Sequence, residues 1–469
     1  MKKCILIISI LPISILFLST PTSGQEGTFK EKVDSIVNDI MQKFDNELGT
    51  YIFREEPVDD IETETDKPET SETYQKPFYS KTYGRKLTSL ESHQSITRNY
   101  FPVFPWETAS ENLIFQYNRV EGLFLGLEYP QKYYWNEQRI SLFASGGYGF
   151  AAHRWRGGIG GSHQFGFNNN LVEFGIEVHS LTDSRDQWII GTGENTLAAF
   201  FLRDDYRDYF EREGFSIWTG FYKKWKLSDM QFQIAFLNDQ YGSLSKNANW
   251  SVFGTHKTFR ENPAIDEGRS KSILATFKFH STESRRIFMT GWSISASAEV
   301  AGRALGGLFD FNSYHFDIRR YQGLNRYSNF NIRLRAASAT GDVPYQKIFE
   351  LGGFGTIPAF GFKEFSGNRM LLANAEYILN GKLLEDVEFF PSWLLGNLNI
   401  ILFTDAGYIT SVNPEASLLK GFEDLSYSSI HSDWGVALGS RDGKLRLGFA
   451  WRTDKSEPVK IFLRINRPF

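Results

Sequence analysis

Trp292-Ser293-Ile294-Ser295-Ala296-Ser297-Ala298-Glu299-Val300 sets Trp, Ile, Ala, Ala and Val against Ser, Ser, Ser and Glu in strict alternation. A period of two is the signature of a strand, because successive side chains point to opposite faces of an extended chain. The texture recurs along the sequence. Val172, Phe174, Ile176 and Val178 alternate with Glu173, Gly175, Glu177 and His179, and Leu445, Leu447, Phe449 and Trp451 with Arg446, Gly448, Ala450 and Arg452. Phe232, Ile234 and Phe236 form a further apolar face, as do Ile273, Ala275, Phe277 and Phe279. The opposite faces carry charges, so they must meet water.

Alternation fits a soluble sandwich as well as a barrel in lipid, and three features separate the two. Many segments run about ten residues, the length of a tilted strand that crosses a bilayer. Short connections at residues 167 to 170 and 441 to 444 alternate with long polar ones at 181 to 208, 242 to 269 and 411 to 433, as in barrels with short periplasmic turns and long outer loops. Finally, Val459-Lys460-Ile461-Phe462-Leu463-Arg464-Ile465-Asn466-Arg467-Pro468-Phe469 is an alternating strand with a terminal aromatic. Ile461, Leu463, Ile465 and Phe469 are expected to be the C-terminal signal that the barrel-assembly machinery reads during insertion. The fold expected is all-β, a transmembrane antiparallel β-barrel. About fifteen alternating segments follow residue 112, and the even count of single-chain barrels makes sixteen strands the expectation. The strand not yet placed falls between residues 181 and 206 or just before 112.

The rest of the composition agrees. The chain of 469 residues is 41% hydrophobic and 16% aromatic, with a formal net charge of -4. Its longest apolar run, residues 5 to 18, is too short for a spanning helix. Without a basic stripe, nucleic acid is not an expected partner. Lys2 and Lys3 followed by that apolar run and by Thr22-Ser23-Gly24 read as a signal peptide over residues 1 to 24. Cys4, the one cysteine, is removed with it, which excludes disulfides and thiol chemistry. Residues 25 to 111 are expected to be periplasmic. Phe29, Val33, Ile36, Val37, Ile40, Met41 and Phe44 recur at helical spacing, and residues 55 to 76 form an acidic linker rich in Thr and Pro. The helix suits a plug, a partner-docking element or a helix lying on the inner leaflet. The barrel is expected over residues 112 to 469.

Chemistry-bearing motifs are missing. There is no Gly-x-Ser-x-Gly elbow and no His-Glu-x-x-His. His179, His280 and His315 lie on polar strand faces and read as lumen residues rather than metal ligands. No catalytic residue, cofactor or metal is expected, and the protein reads as a non-enzyme.

The stretch Phe349-Glu350-Leu351-Gly352-Gly353, then Ile357-Pro358-Ala359-Phe360-Gly361-Phe362, Phe365-Ser366-Gly367-Asn368-Arg369 and Ala373-Asn374-Ala375-Glu376-Tyr377 resembles the barrel of the BamA/TamA superfamily, the bacterial surface antigens. Leu402-Phe403-Thr404-Asp405-Ala406-Gly407-Tyr408 and Trp434-Gly435-Val436-Ala437-Leu438-Gly439 continue the resemblance in order. Asn118-Arg119-Val120-Glu121-Gly122, read as part of a first strand over residues 112 to 127, resembles members without periplasmic POTRA domains. No such domain is read in residues 25 to 110.

The resemblance implies a loop folded back into the lumen, its Arg-Gly-Phe/Tyr tip held by carboxylates on later strands. Gly352, Gly353, Phe360, Gly361 and Phe362 correspond to that loop, and Glu376 and Asp405 to the carboxylates. Phe360 stands where the family has arginine, which leaves Lys363 and Arg369 as the nearest cations for the carboxylates. Gly352, Gly353 and Gly355 are expected to let the backbone approach the wall closely. The resemblance further implies a weakly paired seam between the first and last strands. It also implies a role in inserting or translocating proteins, or lipid, at the bacterial outer membrane. The partners so implied are outer-membrane lipid, a periplasmic chaperone and client barrel proteins. The competing reading is a passive diffusion channel, with Lys278, Glu173, Glu177, Arg446 and Arg464 lining a wet pore, or a structural outer-membrane barrel.

Overall fold

The computed structural model describes residues 113–254, 256–281, 283–285, 288–325, 327–381, 398–440 and 445–465, all within the compact unit Lys81–Phe469. The expected signal peptide, helix and linker, and Phe469, lie outside the described residues.

The alternating segments form one large antiparallel sheet of 16 strands. The first eight are β1 Leu113–Asn118, β2 Gly122–Tyr129, β3 Gln138–Gly149, β4 Arg154–Phe167, β5 Asn170–Asp183, β6 Phe210–Lys224, β7 Asp229–Ser243 and β8 Gly268–His280, the last continued by Glu283–Arg285. The others are β9 Phe288–Ala301, β10 Asp310–Asn325, β11 Ser328–Asp342, β12 Arg369–Asn380, β13 Leu398–Thr410, β14 His431–Ser440, β15 Leu445–Arg452 and β16 Lys460–Ile465. Each pairs with its neighbour in sequence, the up-and-down order of an outer-membrane barrel. Among the described residues β1 pairs only with β2, and β16 only with β15. No described helix is long and apolar enough to cross a membrane, which says nothing about strands.

Burial is inverted relative to a protein dissolved in water. On β5 the apolar Phe174, Ile176 and Val178 are 54%, 51% and 56% exposed, whereas Glu173 is completely buried. On β16 Ile461 and Leu463 face outward and Arg464 inward. Such a sheet places its apolar face in lipid and its charges in the lumen, where they pair with one another. Arg333 and Arg335, for example, hold Asp317 at 2.6 and 3.0 Å.

Connections of both lengths occur at each end, the 168–169 turn and the long connection 381–397 sharing one of them. Asn168 and Asn169, both at positive φ (48° and 63°), turn β4 into β5, the backbone that a two-residue hairpin requires. The long connections 184–209, 244–267, 343–368 and 411–430 leave from the other end, beside the short ones 119–121 and 150–153.

Two boundaries differ from the sequence reading. Residues 112 to 127 are not one strand but the hairpin β1–β2. Asn118 Oδ1 accepts the backbone N–H groups of Val120 (2.9 Å) and Glu121 (2.7 Å), and Gly122 takes φ 65°, so the chain reverses within three residues. The strand sought between 181 and 206 is instead helical. Helix α1, Thr192–Leu197, runs on into a π turn at Ala198–Leu202. The count of sixteen is completed by the first hairpin.

Candidate functional site in the barrel lumen

The connection from β11 to β12 turns inward. Phe349–Leu351 pairs antiparallel with Phe365–Gly367, and the tip between them is closed by glycines. Gly352 has φ 122° and Gly353 φ 84°, a region that disfavours any residue with a Cβ. A Cβ on Gly352 would collide with the carbonyl oxygen of Gly361, and one on Gly355 would lie 2.6 Å from Ile189 O. Thr356 closes the turn from inside, its Oγ1 accepting from Gly352 N and donating to Gly353 O, both at 3.0 Å.

The tip is fixed to the wall by an apolar contact and a polar one. Phe349, Leu351, Ile357, Ala359 and Phe360 are buried in one cluster with Ala337 of β11, Met370 and Leu372 of β12 and Ala450 of β15. The backbone N–H of Ala359 donates to Asp433 Oδ2 on β14 (2.8 Å). Asp405, the carboxylate expected to hold the tip, meets it through an amide: Asn374 Nδ2 donates to Asp405 Oδ1 at 2.7 Å and to Thr356 O at 2.8 Å. Glu376 is held by the wall, accepting from Arg446 Nη1 at 2.6 Å and from Asn331 Nδ2 at 3.5 Å.

The cations are also placed differently from expectation. Neither Lys363 nor Arg369 reaches Glu376 or Asp405. Arg369 is fully buried and donates to main-chain carbonyls, those of Lys420 and Ser417 each at 2.9 Å, which ties the 411–430 connection to the wall. Lys363 points to the opposite side of the tip. Its ammonium lies 2.9 Å from Asp186, 2.6 Å from Asp208 and 2.7 Å from Glu350. Burial works against that charge, but the carboxylates of Asp186, Asp208 and Glu350 outweigh it and hold the Lys363 pKa above the ordinary lysine value. At Phe360 the guanidinium of Arg452 sits 4.1 Å above the ring. Gly361 N donates to Glu364 Oε2 at 2.6 Å. Phe362 packs edge-on against Tyr206, with ring centres 5.3 Å apart, and lies under Arg260.

Residues 170–466 match the Omp85 superfamily domain. The chain belongs to the Omp85 superfamily. Among solved structures, this Omp85 chain is similar to BamA from Haemophilus ducreyi lacking POTRA domains 1-3, with 14% identity and a TM-score of 0.45 over 75% of this chain and 68% of that one. CdiB from Acinetobacter baumannii is similar at 11% identity and a TM-score of 0.37, over 75% of this chain and 58% of that one. OccK10 (OpdN) from Pseudomonas aeruginosa gives 10% identity and a TM-score of 0.29, over 75% and 94% of the two chains. No curated protein matches the chain. The Omp85 match places the chain in the outer membrane.

Sequence reasoning missed Asp433 and the partners of Lys363. Asp433 shares the buried face of β14 with Gly435, Ala437 and Gly439, so extending that alternation by one inward position would have found it. Asp186 and Asp208 lie 177 and 155 residues from Lys363, and no local pattern marks them. Among the described residues of this Omp85 barrel, no group of three or more His, Cys, Asp and Glu side chains is arranged to hold a metal ion.

Proposed function

We propose that this Omp85 barrel assists the insertion or translocation of other proteins at the outer membrane, reached by export through a cleaved signal peptide. The reading is carried by the Omp85 match over residues 170–466, with a lumen into which the barrel's own loop packs and with β1 and β16 pairing, among the described residues, only with β2 and β15. A diffusion channel needs water where this lumen holds Phe349, Leu351, Ile357 and Phe360. A strand edge offers hydrogen-bonding groups to an extended polypeptide. An unfolded barrel protein delivered by a periplasmic chaperone is the client that chemistry suits, with lipid as the second cargo. Ile461, Leu463, Ile465 and Phe469 would serve the barrel's own insertion, and the helix within residues 25 to 111 would dock the chaperone.

The test is reconstitution in vesicles with a urea-unfolded outer-membrane barrel as client. Faster appearance of protease-resistant client than in protein-free vesicles is expected, together with low conductance that rises sharply on deleting residues 350 to 366. High conductance before the deletion and no effect on the client would move the assignment to a channel.

A further inference from the structure

Lys223-Lys224-Trp225-Lys226-Leu227-Ser228 ends β6 and turns the chain into β7. The turn is tight, with Trp225 N donating to Ser228 O at 2.8 Å. It lies at the end of the sheet opposite the long connections 184–209, 244–267, 343–368 and 411–430. Long loops mark the outer end of a bacterial barrel, so this turn stands where the wall meets the headgroups of the inner leaflet.

Parity places the side chains around it. Ile217 of β6 is exposed on the lipid face, and Lys223, six residues on, shares that face. Ile273 and Phe279 are related in the same way on β8. The register joins the two strands across β7, because Lys223 stands opposite Met230 and Met230 opposite Phe279. Just beyond this row Trp225, Lys226, Leu227 and Ser228 enclose with Phe279 a groove of about 590 Å³. Trp225 and Leu227 are exposed.

The charge at the groove is positive. Lys223 Nζ lies 5.1 Å from the centre of the Trp225 ring, and Lys224 Nζ 5.9 Å from that of Trp135. A lysine that leans on an indole is positioned without being neutralised. Among the described residues neither Lys223 nor Lys226 has an ion-pair partner, whereas Lys363, Arg446 and Arg464 in the lumen are paired. Asp229 stands opposite Lys224 in the register, and parity puts its side chain on the other face of the sheet. An apolar groove with cations at its rim, at headgroup depth, suits an amphiphile with a negative head. An acidic polypeptide would match the lysines but leave Trp225, Leu227 and Phe279 unused.

We propose that this groove holds an anionic phospholipid of the inner leaflet, its phosphate between Lys223 and Lys226 and the start of an acyl chain against Trp225, Leu227 and Phe279. The site needs neither the lumen loop nor a client protein, so it stands or falls apart from the assembly reading.

The experiment uses the full chain in phosphatidylcholine vesicles, into which brominated phosphatidylglycerol or, in parallel, brominated phosphatidylcholine is mixed in rising amount. Bromine on the acyl chain quenches a tryptophan that it touches, and the difference between the unaltered chain and Trp225→Phe isolates the signal of Trp225. That signal should be quenched at a lower fraction of phosphatidylglycerol than of phosphatidylcholine, with a gain of roughly fivefold from each lysine. Lys223→Gln with Lys226→Gln should bring the two lipids to parity, while arginine at both positions keeps the preference. Equal quenching by both lipids in the unaltered chain overturns the proposal and leaves the lysines to an acidic protein partner. A preference that survives the double glutamine variant overturns it too. Should that variant fail to assemble, the unaltered chain in about 1 M sodium chloride decides, since salt screens exposed charges. Loss of the preference there supports the site, and a preference that persists overturns it.

Discussion

Lys363 Nζ and Asp208 Oδ2 stand 2.6 Å apart inside the barrel, joining the tip of one long connection to the stem of another. Asp186 and Glu350 share the same ammonium. Replacing Lys363 by methionine removes the cation that all three carboxylates share and leaves Arg119 and Arg260 to Asp208. Breaking a buried pair by removing one partner costs about 3–5 kcal/mol. Lys363→Met is expected to lower the temperature at which the folded band is lost in heat-modifiability gels, whereas Lys363→Arg should keep most of the stability. Equal melting of all three proteins would show that the cluster contributes nothing.

The same cluster fixes a pH window. Asp208 is buried, but Lys363 and Arg260 hold its carboxyl below the ordinary 3.8, so its contribution is present above that value and is lost as pH falls through the lower folded one. Lys363 is held above the ordinary 10.5, and its contribution is present below 10.5 and is lost as pH rises through the higher folded value. Glu350 has the opposite sign. Burial, then Asp186 and Asp208, raise it above 4.5 against the pull of Lys363, so what it adds in acid fades as pH rises through its raised value. Protease protection of residues 352–364 should be constant from neutral pH to about pH 10, and should fail at both extremes. Protection that halves between pH 7 and 9 would contradict this arrangement.

Gly352→Ala tests the tip backbone. The added Cβ meets the Gly361 carbonyl, and φ of 122° is foreign to alanine. Strain of this kind costs roughly 1–3 kcal/mol. The loop should leave its seat, with proteolytic nicking between 352 and 364 and a rise in single-channel conductance, while the sheet remains folded. A protected, non-conducting Gly352→Ala protein would mean that the tip adapts.

Arg446 and Glu376 form a lumen pair on the wall itself, at 2.6 Å. Arg446→Met or Glu376→Gln alone should destabilise the barrel to unfolding by about 3–5 kcal/mol. The double variant should cost clearly less than the sum, the mark of direct coupling. Additive losses in urea titrations would separate the two residues energetically.

Much of this fold was legible in the sequence because a sheet between lipid and a polar lumen writes its two faces as alternation. Glu173 against Ile176, and Arg464 against Ile461 and Leu463, can be placed by parity alone. The first hairpin was not legible, since Arg119-Val120-Glu121 is short enough to read as part of a strand and is buried only because the connections 184–209 and 244–267 cover it. Arg119 Nη2 donates to Asp208 Oδ1 at 2.9 Å and to Asn262 Oδ1 at 3.0 Å. Helix α1 and the π turn after it read as a missing strand because Ile189 to Leu202 is apolar without clean alternation. In the candidate site, glycine and Phe360 positions could be located from the family's motif. The partners of Lys363 and Glu376 could not, because ion pairs inside a lumen join residues that only closure of the sheet brings near.

The inside-out burial of the strands bears on how the chain travels before it folds. By spreading its hydrophobic residues one in two, the sheet that will sit in lipid never gathers them into a run of helix length, the feature that halts a polypeptide in the cytoplasmic membrane. The unfolded barrel therefore passes through that membrane as a polar thread, and becomes greasy only when hydrogen bonding between strands sorts its two faces.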